Sequence, residues 1–311
     1  MSANEIIENK GYDEALQTTI KELIRTGKTD STSVAKSVNK SPATLSLYLK
    51  GAYNGKVAEL EADLRNFLAY FEKQQNTVKK ELKFFKTTIA KKIFKAAAMC
   101  QMLGKMGVCY GSPGIGKTTA INEYKKDTVN VILVDPFEQT SARSVLIQIA
   151  EQLKLNYRQN MTLEEFTANI VKKLGKNKYL IIIDEAENLK LDIFKILRKI
   201  HDKTKNNCGI LFAGTHQLQE LLLKTKKELP YISSRIGYVA KLEELNLNDV
   251  EELTLQYYPD SDKNRIKTFA LYSRHNARHL QNILDLCFEA TKTGGKLTNE
   301  IIEDARECLI I

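Results

Sequence analysis

Apolar residues recur at two different spacings along this 311-residue chain, and the change between them separates its regions. Up to about residue 71 they recur every three to four positions, which predicts amphipathic helices at residues 4–26, 32–38, 42–50 and 57–71. Helical patterns then alternate with short apolar runs, at residues 108–110, 129–135, 179–184 and 209–214. This alternation is typical of parallel strands joined by crossover helices, and from residue 242 onward only helical patterns remain. We therefore expect an α/β fold, with a three-layer core between two helical regions.

The two short helices at residues 32–50 resemble a helix-turn-helix of the phage-repressor type. Ser41 can cap the second helix, Pro42 suits its first position, and Gly51 ends it. Leu45 and Leu49 are its expected buried positions. In this interpretation the second helix enters a DNA major groove, and the candidate contacts on it are Thr44, Ser46 and Lys50. The alternative is a small helical bundle with no role in nucleic-acid binding.

The composition changes between residues 72 and 83, which are polar, rich in lysine and glutamine, and lack an apolar stripe. Such a stretch is typical of a linker between domains. The predicted domains are an N-terminal helix-turn-helix domain at 1–74, a linker at 75–92, an α/β core at 93–241 and a C-terminal helical domain at 242–311.

Composition narrows the class of protein. With 43% apolar residues the chain can bury a normal core, and it has neither a membrane-length apolar stretch nor a signal-peptide pattern, so we expect a cytoplasmic location. The cysteines are odd in number and widely spaced, which favours reduced core thiols over disulfides or a zinc site, at Cys100, Cys109, Cys208, Cys287 and Cys308.

The net charge is +9 and the pI is near 9.1. Such a charge favours a polyanionic partner, for which nucleic acid is the natural candidate, without indicating any sequence preference. A merely basic overall composition is the alternative.

Residues 111–118 read G-S-P-G-I-G-K-T and match the phosphate-loop pattern G-x-x-x-x-G-K-[ST] between a predicted strand and a predicted helix. The glycines let backbone N–H groups surround a phosphate, Lys117 supplies a positive charge to it, and the Thr118 hydroxyl is a ligand for Mg²⁺. A glycine-rich turn without a ligand is the alternative. The predicted nucleotide contacts are Gly111, Ser112, Pro113, Gly114, Ile115, Gly116, Lys117, Thr118 and Thr119.

Three further strand ends or loops carry polar residues suited to ATP hydrolysis. Asp184 and Glu185 follow a buried strand, so Asp184 can complete the Mg²⁺ shell and Glu185 can polarise the attacking water. Thr215 follows the next apolar run and can contact the γ-phosphate, although a threonine after glycine is also a common helix cap. Either Arg235 or Arg278 can neutralise phosphate charge, from its own or a neighbouring subunit, in the manner of an arginine finger, whereas a lone arginine is more often a solvated surface charge.

Taken together, the order and spacing of these motifs resemble those of AAA+ ATPases. The loop, Asp184-Glu185, Gly214-Thr215-His216, Ser234-Arg235 and Ala277-Arg278 correspond to the Walker A, Walker B, sensor 1, arginine-finger and sensor 2 motifs. The chain departs from the family at Thr215, where asparagine is typical. With the N-terminal helices included, it is similar to the target-selecting transposition ATPases of the phage Mu type.

The resemblance implies ATP and Mg²⁺ as cofactors, slow switch-like hydrolysis, and an ATP-dependent homo-oligomer or helical filament on double-stranded DNA. It also implies a transposase as a partner and a role for Arg235 between protomers. In that arrangement DNA would lie along the α/β core, with candidate contacts at Thr140, Arg143, Arg158, Lys172 and Lys173.

Two other functions share the same motifs. A helicase loader or replication initiator would have the same ATPase core and would act on a helicase or an origin. A nucleotide-gated transcription regulator would use the helix-turn-helix to read one operator, and would form a small fixed oligomer rather than a filament that grows with DNA length.

Overall fold

The computed structural model describes residues 11–75, 83–137, 140–204, 206–228, 234–292 and 294–309. The chain divides into two compact units, residues 1–80 and 81–311. The range 75–92 assigned to the linker includes the first turn of a helix that begins at Thr88. Part of the first predicted helix, residues 4–10, lies outside the described residues.

The N-terminal unit contains four helices, α1 (Glu14–Arg25), α2 (Ser31–Ser37), α3 (Pro42–Leu49) and α4 (Val57–Gln75). Side-chain oxygens of Asp13, Asp30 and Ser41 accept hydrogen bonds from the first N–H groups of α1, α2 and α3, which explains where these helices begin. The four helices enclose one apolar core, which includes Leu16, Ile20, Val34, Ala35, Leu45, Tyr48, Leu60 and Leu64. Both short helices and the turn between them follow the prediction, and DNA binding by them stays a prediction.

The inward face of α3 differs from the expected one. Leu45 is buried, but the second fully buried residue is Tyr48, while Leu49 is only partly buried. The Tyr48 hydroxyl donates to Glu61 at 3.1 Å, and the same carboxylate oxygen accepts from the backbone of Asp13 at 2.8 Å. Tyr48 can be buried because its hydroxyl finds this acceptor.

The second unit is built on a five-stranded parallel sheet, which confirms the predicted α/β class. The strands are β1 (Met106–Tyr110), β2 (Val131–Val134), β3 (Tyr179–Ile183), β4 (Cys208–Gly214) and β5 (Ile236–Lys241), in the order β2-β3-β4-β1-β5. The first four match the predicted apolar runs. β5 was not predicted, because as an edge strand it leaves Val239 60% exposed and shows no continuous apolar run.

Helices cover both faces of the sheet. α5 (Thr88–Leu103) and α6 (Lys117–Asp127) contribute to one apolar core, and α7 (Ala142–Gln152), α8 (Leu163–Leu174) and α9 (Leu191–Lys203) to the other. α10 (His216–Glu228) follows β4. The chain ends in α11 (Leu247–Tyr257), α12 (Lys263–Ser273), α13 (Ala277–Thr291) and α14 (Asn299–Glu307). The apolar core that contains residues of α5 and α6 also contains residues of these last four helices. The four helices therefore pack on the same face of the sheet as α5 and α6.

Four of the five cysteines are buried, as expected, but Cys308 is exposed, so its assignment to the core was wrong. It lies one residue after α14, where the helix has already ended. Burial raises the pKa of the Cys100, Cys208 and Cys287 thiols to about 12, so these thiols stay protonated and unreactive. None of the described helices combines the length and the apolar character that crossing a membrane requires.

Candidate functional site

The glycine-rich loop lies between β1 and α6, at the carboxyl end of the sheet. Gly114 and Gly116 have φ angles of +78° and +94°, in the left-handed region that strains other residues. Gly116 is also the N-cap of α6 and gives that helix no side-chain cap. The first N–H groups of α6 are therefore available to an anion, at the positive end of the helix dipole.

The Lys117 side chain is hydrogen-bonded to the phosphate loop. Its ammonium group donates to the carbonyl oxygens of Gly111 and Ser112, each at 2.9 Å. Burial lowers the pKa of Lys117, and the carboxylates of Glu187 and Asp184 partly oppose this effect. The ammonium group therefore lies beside the phosphate loop, where a bound phosphate can replace the two carbonyl oxygens as its hydrogen-bond partner.

The two carboxylates after β3 differ in environment. Asp184 is only 4% exposed and accepts a hydrogen bond from the Thr118 hydroxyl; burial raises the pKa of its carboxyl group. Glu185 is exposed and has a φ of +47°, which is strained for a residue with a side chain and turns it away from the strand direction. The Asn188 amide donates to the Glu185 carboxylate at 3.3 Å. The strand end therefore presents one buried and one accessible acid.

The buried acid and its neighbour fit a magnesium site. A carboxylate and a hydroxyl oxygen, from Asp184 and Thr118, are the hard ligands that Mg²⁺ takes alongside phosphate oxygens and water. A divalent cation would also neutralise the buried carboxylate, whose pKa burial has raised.

One cavity of 230 Å³ gathers most of the predicted nucleotide and catalytic residues. It lies over the loop, and its lining includes the lysine, both acids, the strand-end threonine and the arginine of α13. Gln281, one turn along α13, lines it too and was not predicted. The predicted residues in the lining are Pro113, Gly114, Gly116, Lys117, Thr118, Thr119, Asp184, Glu185, Thr215 and Arg278.

Thr215 owes its position to Glu187, which the sequence reasoning missed. The Thr215 N–H donates to one carboxylate oxygen of Glu187 at 3.0 Å, and the other oxygen is buried without a hydrogen-bond partner among the described residues. Any side chain at Gly214 would overlap that second oxygen. A third acid shortly after D-E was the only available signal, and it is too common to indicate a role by itself.

Asn276 ties the C-terminal helices to the loop. Its amide nitrogen donates to the carbonyl of Pro113 at 2.8 Å, and its Oδ1 caps α13 by accepting from the backbone of Arg278 and His279. The Arg278 N–H also donates to the carbonyl of Gly114 at 2.9 Å. These bonds hold the N-terminus of α13 against the phosphate loop.

A second cavity of 310 Å³ adjoins the loop and shares residues with the first. Aromatic and aliphatic side chains dominate its lining, with polar groups at Gln256 and Gln281. A largely apolar cavity beside a phosphate cradle fits the base of a nucleotide. No sequence motif indicated it, because its lining comes from four separate segments, including Phe84, Phe85, Ile115, Leu253, Tyr257, Leu280 and Leu284.

Arg235 lies at the opposite end of the sheet. Ile236, the next residue, pairs with Met106 at the start of β1, whereas the loop follows Tyr110 at its end. The length of β1, at about 3.3 Å per residue, separates the two ends by about 13 Å. The Arg235 side chain donates to Asp202 at 3.0 Å and to Ser234 at 3.2 Å. Arg235 therefore does not reach the phosphate loop of its own protomer.

The candidate DNA contacts fall into two groups. Thr140 is 1% exposed and accepts a hydrogen bond from the backbone of Phe137, and Arg143 donates to the carbonyls of Met161 and Gln159. Both side chains are engaged within the fold, which argues against their direct contact with DNA. The exposed candidates are Arg158, Lys172, Lys173, Ser46 and Lys50, and Thr44 is partly exposed.

Comparisons with known proteins agree with this geometry. Residues 101–222 match the family model described as an AAA domain. The chain is 25% identical over 240 residues to the Mu-like prophage FluMu DNA transposition protein B of Haemophilus influenzae, across 75% of this chain and 82% of that protein. It is 22% identical over 248 residues to the ATP-dependent target DNA activator B of Escherichia phage Mu, across 78% of each.

Among solved structures, the Cdc6p of Pyrobaculum aerophilum matches with a TM-score of 0.56 at 17% identity. The match covers 71% of this chain and 66% of that one, and at this identity it concerns the fold alone. The AAA domain at residues 101–222 and the motifs gathered in the cavity identify an ATPase, and the chain is similar over three quarters of its length to the transposition B proteins of Mu-like phages.

Proposed function

We propose that this ATPase is an ATP-dependent activator of transposition target DNA. In this function it assembles with ATP into a filament on double-stranded DNA, with little sequence preference, and activates a transposase. The observation that carries the proposal is the single cavity that joins the phosphate loop, the two acids after β3, Thr215 and Arg278, in a chain similar to the transposition B proteins.

The residues of the cavity divide the chemistry among them. The loop N–H groups and Lys117 bind the phosphates, while Thr118 and Asp184 would hold Mg²⁺, which would supply positive charge to the transferred phosphoryl group. Glu185, accessible and strained, accepts a proton from the attacking water, and Thr215 contacts the γ-phosphate. Arg278 projects from the start of α13 and neutralises phosphate charge from the side of the C-terminal helices.

Arg235 completes the site of a neighbouring protomer rather than its own. Its position at the amino end of the sheet, with 40% of the side chain exposed, supports a contact between protomers. Hydrolysis then depends on assembly, and assembly on ATP, which is the behaviour of a switch.

Binding to DNA would depend mainly on phosphate contacts. The net charge of +9 supports this, and exposed Arg158, Lys172 and Lys173 are the candidate contacts in the core. Such binding is weakened strongly by added salt and carries little sequence preference. Cytoplasmic DNA in a bacterial cell would be the substrate of this activity.

Electron microscopy of negatively stained protein tests the proposal. We expect filaments on a long random duplex with ATP, few with ADP, and none with Lys117→Ala; Lys126→Ala, near the other end of α6, is the matched control. Glu185→Gln should still form filaments with ATP, and these should persist longer because hydrolysis is lost.

Two results would contradict the proposal. Discrete particles at one DNA site would favour a transcription regulator, and assembly that ignores DNA would favour a helicase loader or replication initiator. Adding a purified transposase of a Mu-like element, with strand transfer as the readout, then tests the activator role separately from filament formation.

A further inference from the structure

The N-terminal unit contains an open groove of 680 Å³ between α1, α3 and the start of α2. Its floor is apolar, formed by Leu45, which is buried, and by Ile24 and Leu49, which are partly exposed. Ile24 and Leu49 leave apolar surface in contact with water, and covering it would be favourable.

The rim of the groove is positively charged. Lys21 and Arg25 lie one turn apart on α1, and Lys50 lies across from them at the end of α3. No aspartate or glutamate lines the groove, and none of these three residues forms an ion pair with another described residue. An occupant that is both apolar and acidic would therefore complement the floor and the rim together.

The same helix is poorly equipped to read DNA bases. α3 carries no Arg, Asn or Gln, the side chains that contact base edges in pairs of hydrogen bonds. The Thr44 hydroxyl is 2.9 Å from that of Ser41, within the helix cap. Leu47, at 47% exposure, occupies the outer face where a polar residue would be needed. The apolar floor of the groove also offers a DNA phosphate neither a hydrogen-bond donor nor a positive charge.

We propose that this groove docks an acidic amphipathic helix of a partner protein, with apolar residues on the floor and carboxylates against Lys21, Arg25 and Lys50. Grooves between helices commonly bind peptide helices in this way, through apolar residues spaced three or four apart. The N-terminal unit then recognises protein, and the contacts of Ser46 and Lys50 are made to a peptide. This inference is independent of the nucleotide site.

A designed peptide provides the probe. It has 16 residues, with leucines at helical spacing on one face, glutamates on both flanks and one tryptophan. The protein contains no tryptophan, so tryptophan fluorescence reports on the probe alone. A peptide of the same composition in scrambled order and a fluorescently labelled 16-base-pair duplex are the comparisons.

Two matched triple variants of the full chain separate the groove from general electrostatics. Lys21→Glu, Arg25→Glu and Lys50→Glu reverse the rim, while Lys28→Glu, Lys36→Glu and Lys40→Glu make the same change in charge at exposed positions outside the groove. We expect the rim variant to bind the probe about tenfold or more weakly and the control variant to bind within about threefold of wild type. Circular dichroism verifies that both remain folded.

The apolar floor has its own matched pair. Ile24→Ala, in the groove, should weaken probe binding about fivefold, and Leu47→Ala, outside it, should leave it unchanged. The proposal fails if the scrambled peptide binds as well as the probe, if both triple variants lose binding equally, or if the probe does not bind at millimolar concentration. It also fails if the rim variant loses the duplex and keeps the probe.

Discussion

An aspartate lies at each end of the parallel sheet, and the two differ in their positively charged neighbours. At the carboxyl end, Asp184 is buried beside a lysine that is bonded to backbone carbonyls, and burial raises the pKa of its carboxyl group. At the amino end, burial also acts to raise the pKa of Asp202, but the hydrogen bond and charge of Arg235 outweigh it and hold that pKa below its ordinary value. Asp184 thus forms no ion pair with another described residue, whereas Asp202 pairs with Arg235.

This difference separates a site that is ready for a ligand from a pair that is already satisfied. A buried acid without a full counter-charge favours the arrival of a cation, whereas an ion pair on the surface is stable alone and contributes little to folding. The hydrogen bond and charge of Arg235 hold the pKa of Asp202 below its ordinary value, so the pair is charged at neutral pH. In the proposed function, the ion pair with Asp202 orients Arg235 at the amino end of the sheet for contact with another protomer.

The largest expected effect tests that interpretation. Arg235→Ala should lower ATP hydrolysis by the assembled protein about 1,000-fold, since a missing arginine finger has effects of that size. Hydrolysis by dilute, unassembled protein should be unchanged, because Arg235 does not reach its own loop. Steady-state rates measured across a range of protein concentrations, with and without DNA, provide the measurement.

Arg198→Ala is the matched control, because Arg198 also donates to Asp202, at 3.1 Å. It should leave assembled hydrolysis within about threefold of wild type. Equal losses in the assembled and the dilute protein would show that Arg235 acts within its own protomer, and the comparison between the two ends would then be wrong.

Patterns that depend on one short segment could be predicted from the sequence. The loop at residues 111–118 follows from glycine conformation and the strand before it, and the strands β1 to β4 follow from their continuous apolar runs. The acids after β3 line the same cavity as the loop because parallel strands share one carboxyl edge, although β4 lies between β3 and β1, and their catalytic roles stay predictions.

Features that join distant segments were missed. Glu187 and Asn276 act through single hydrogen bonds to residues 28 and 163 positions away, and no local pattern indicates such a pair. The second cavity is assembled from four segments, and β5 is an edge strand with one exposed face. Thr140 and Arg143 resembled surface residues in sequence, but their side chains fold back onto the neighbouring loops.

A prediction of intermediate size concerns Glu187, which holds Thr215 in place at the carboxyl end of the sheet. Glu187→Ala removes the acceptor of the Thr215 N–H, and loss of one buried hydrogen bond should lower kcat for ATP hydrolysis about tenfold. The KM for ATP should change by less than about twofold, because the phosphate loop and the hydrogen bonds of Lys117 to Gly111 and Ser112 do not involve Glu187. Glu187→Gln keeps an oxygen acceptor, so it should recover most of the rate.

Steady-state kinetics of the three proteins settle this role. A general loss of packing in Glu187→Ala would instead lower its thermal stability and change kcat and KM together. If Glu187→Ala raises KM and leaves kcat unchanged, Glu187 supports phosphate binding instead, and Thr215 is not its point of action.

The smallest expected effect concerns the bond between the loop and the C-terminal helices. Asn276→Ala removes the cap of α13 and the bond to Pro113, so the free energy of unfolding should fall by about 1 kcal/mol. Asn276→Asp keeps the capping oxygen and should retain most of that stability. It cannot donate to Pro113, and its negative charge lies beside the phosphate cradle, so ATP affinity should fall about fivefold. Thermal unfolding and nucleotide titration would thus separate the two functions of this side chain. If both variants bound ATP as tightly as the wild type, the carboxyl end would bind phosphate without help from α13.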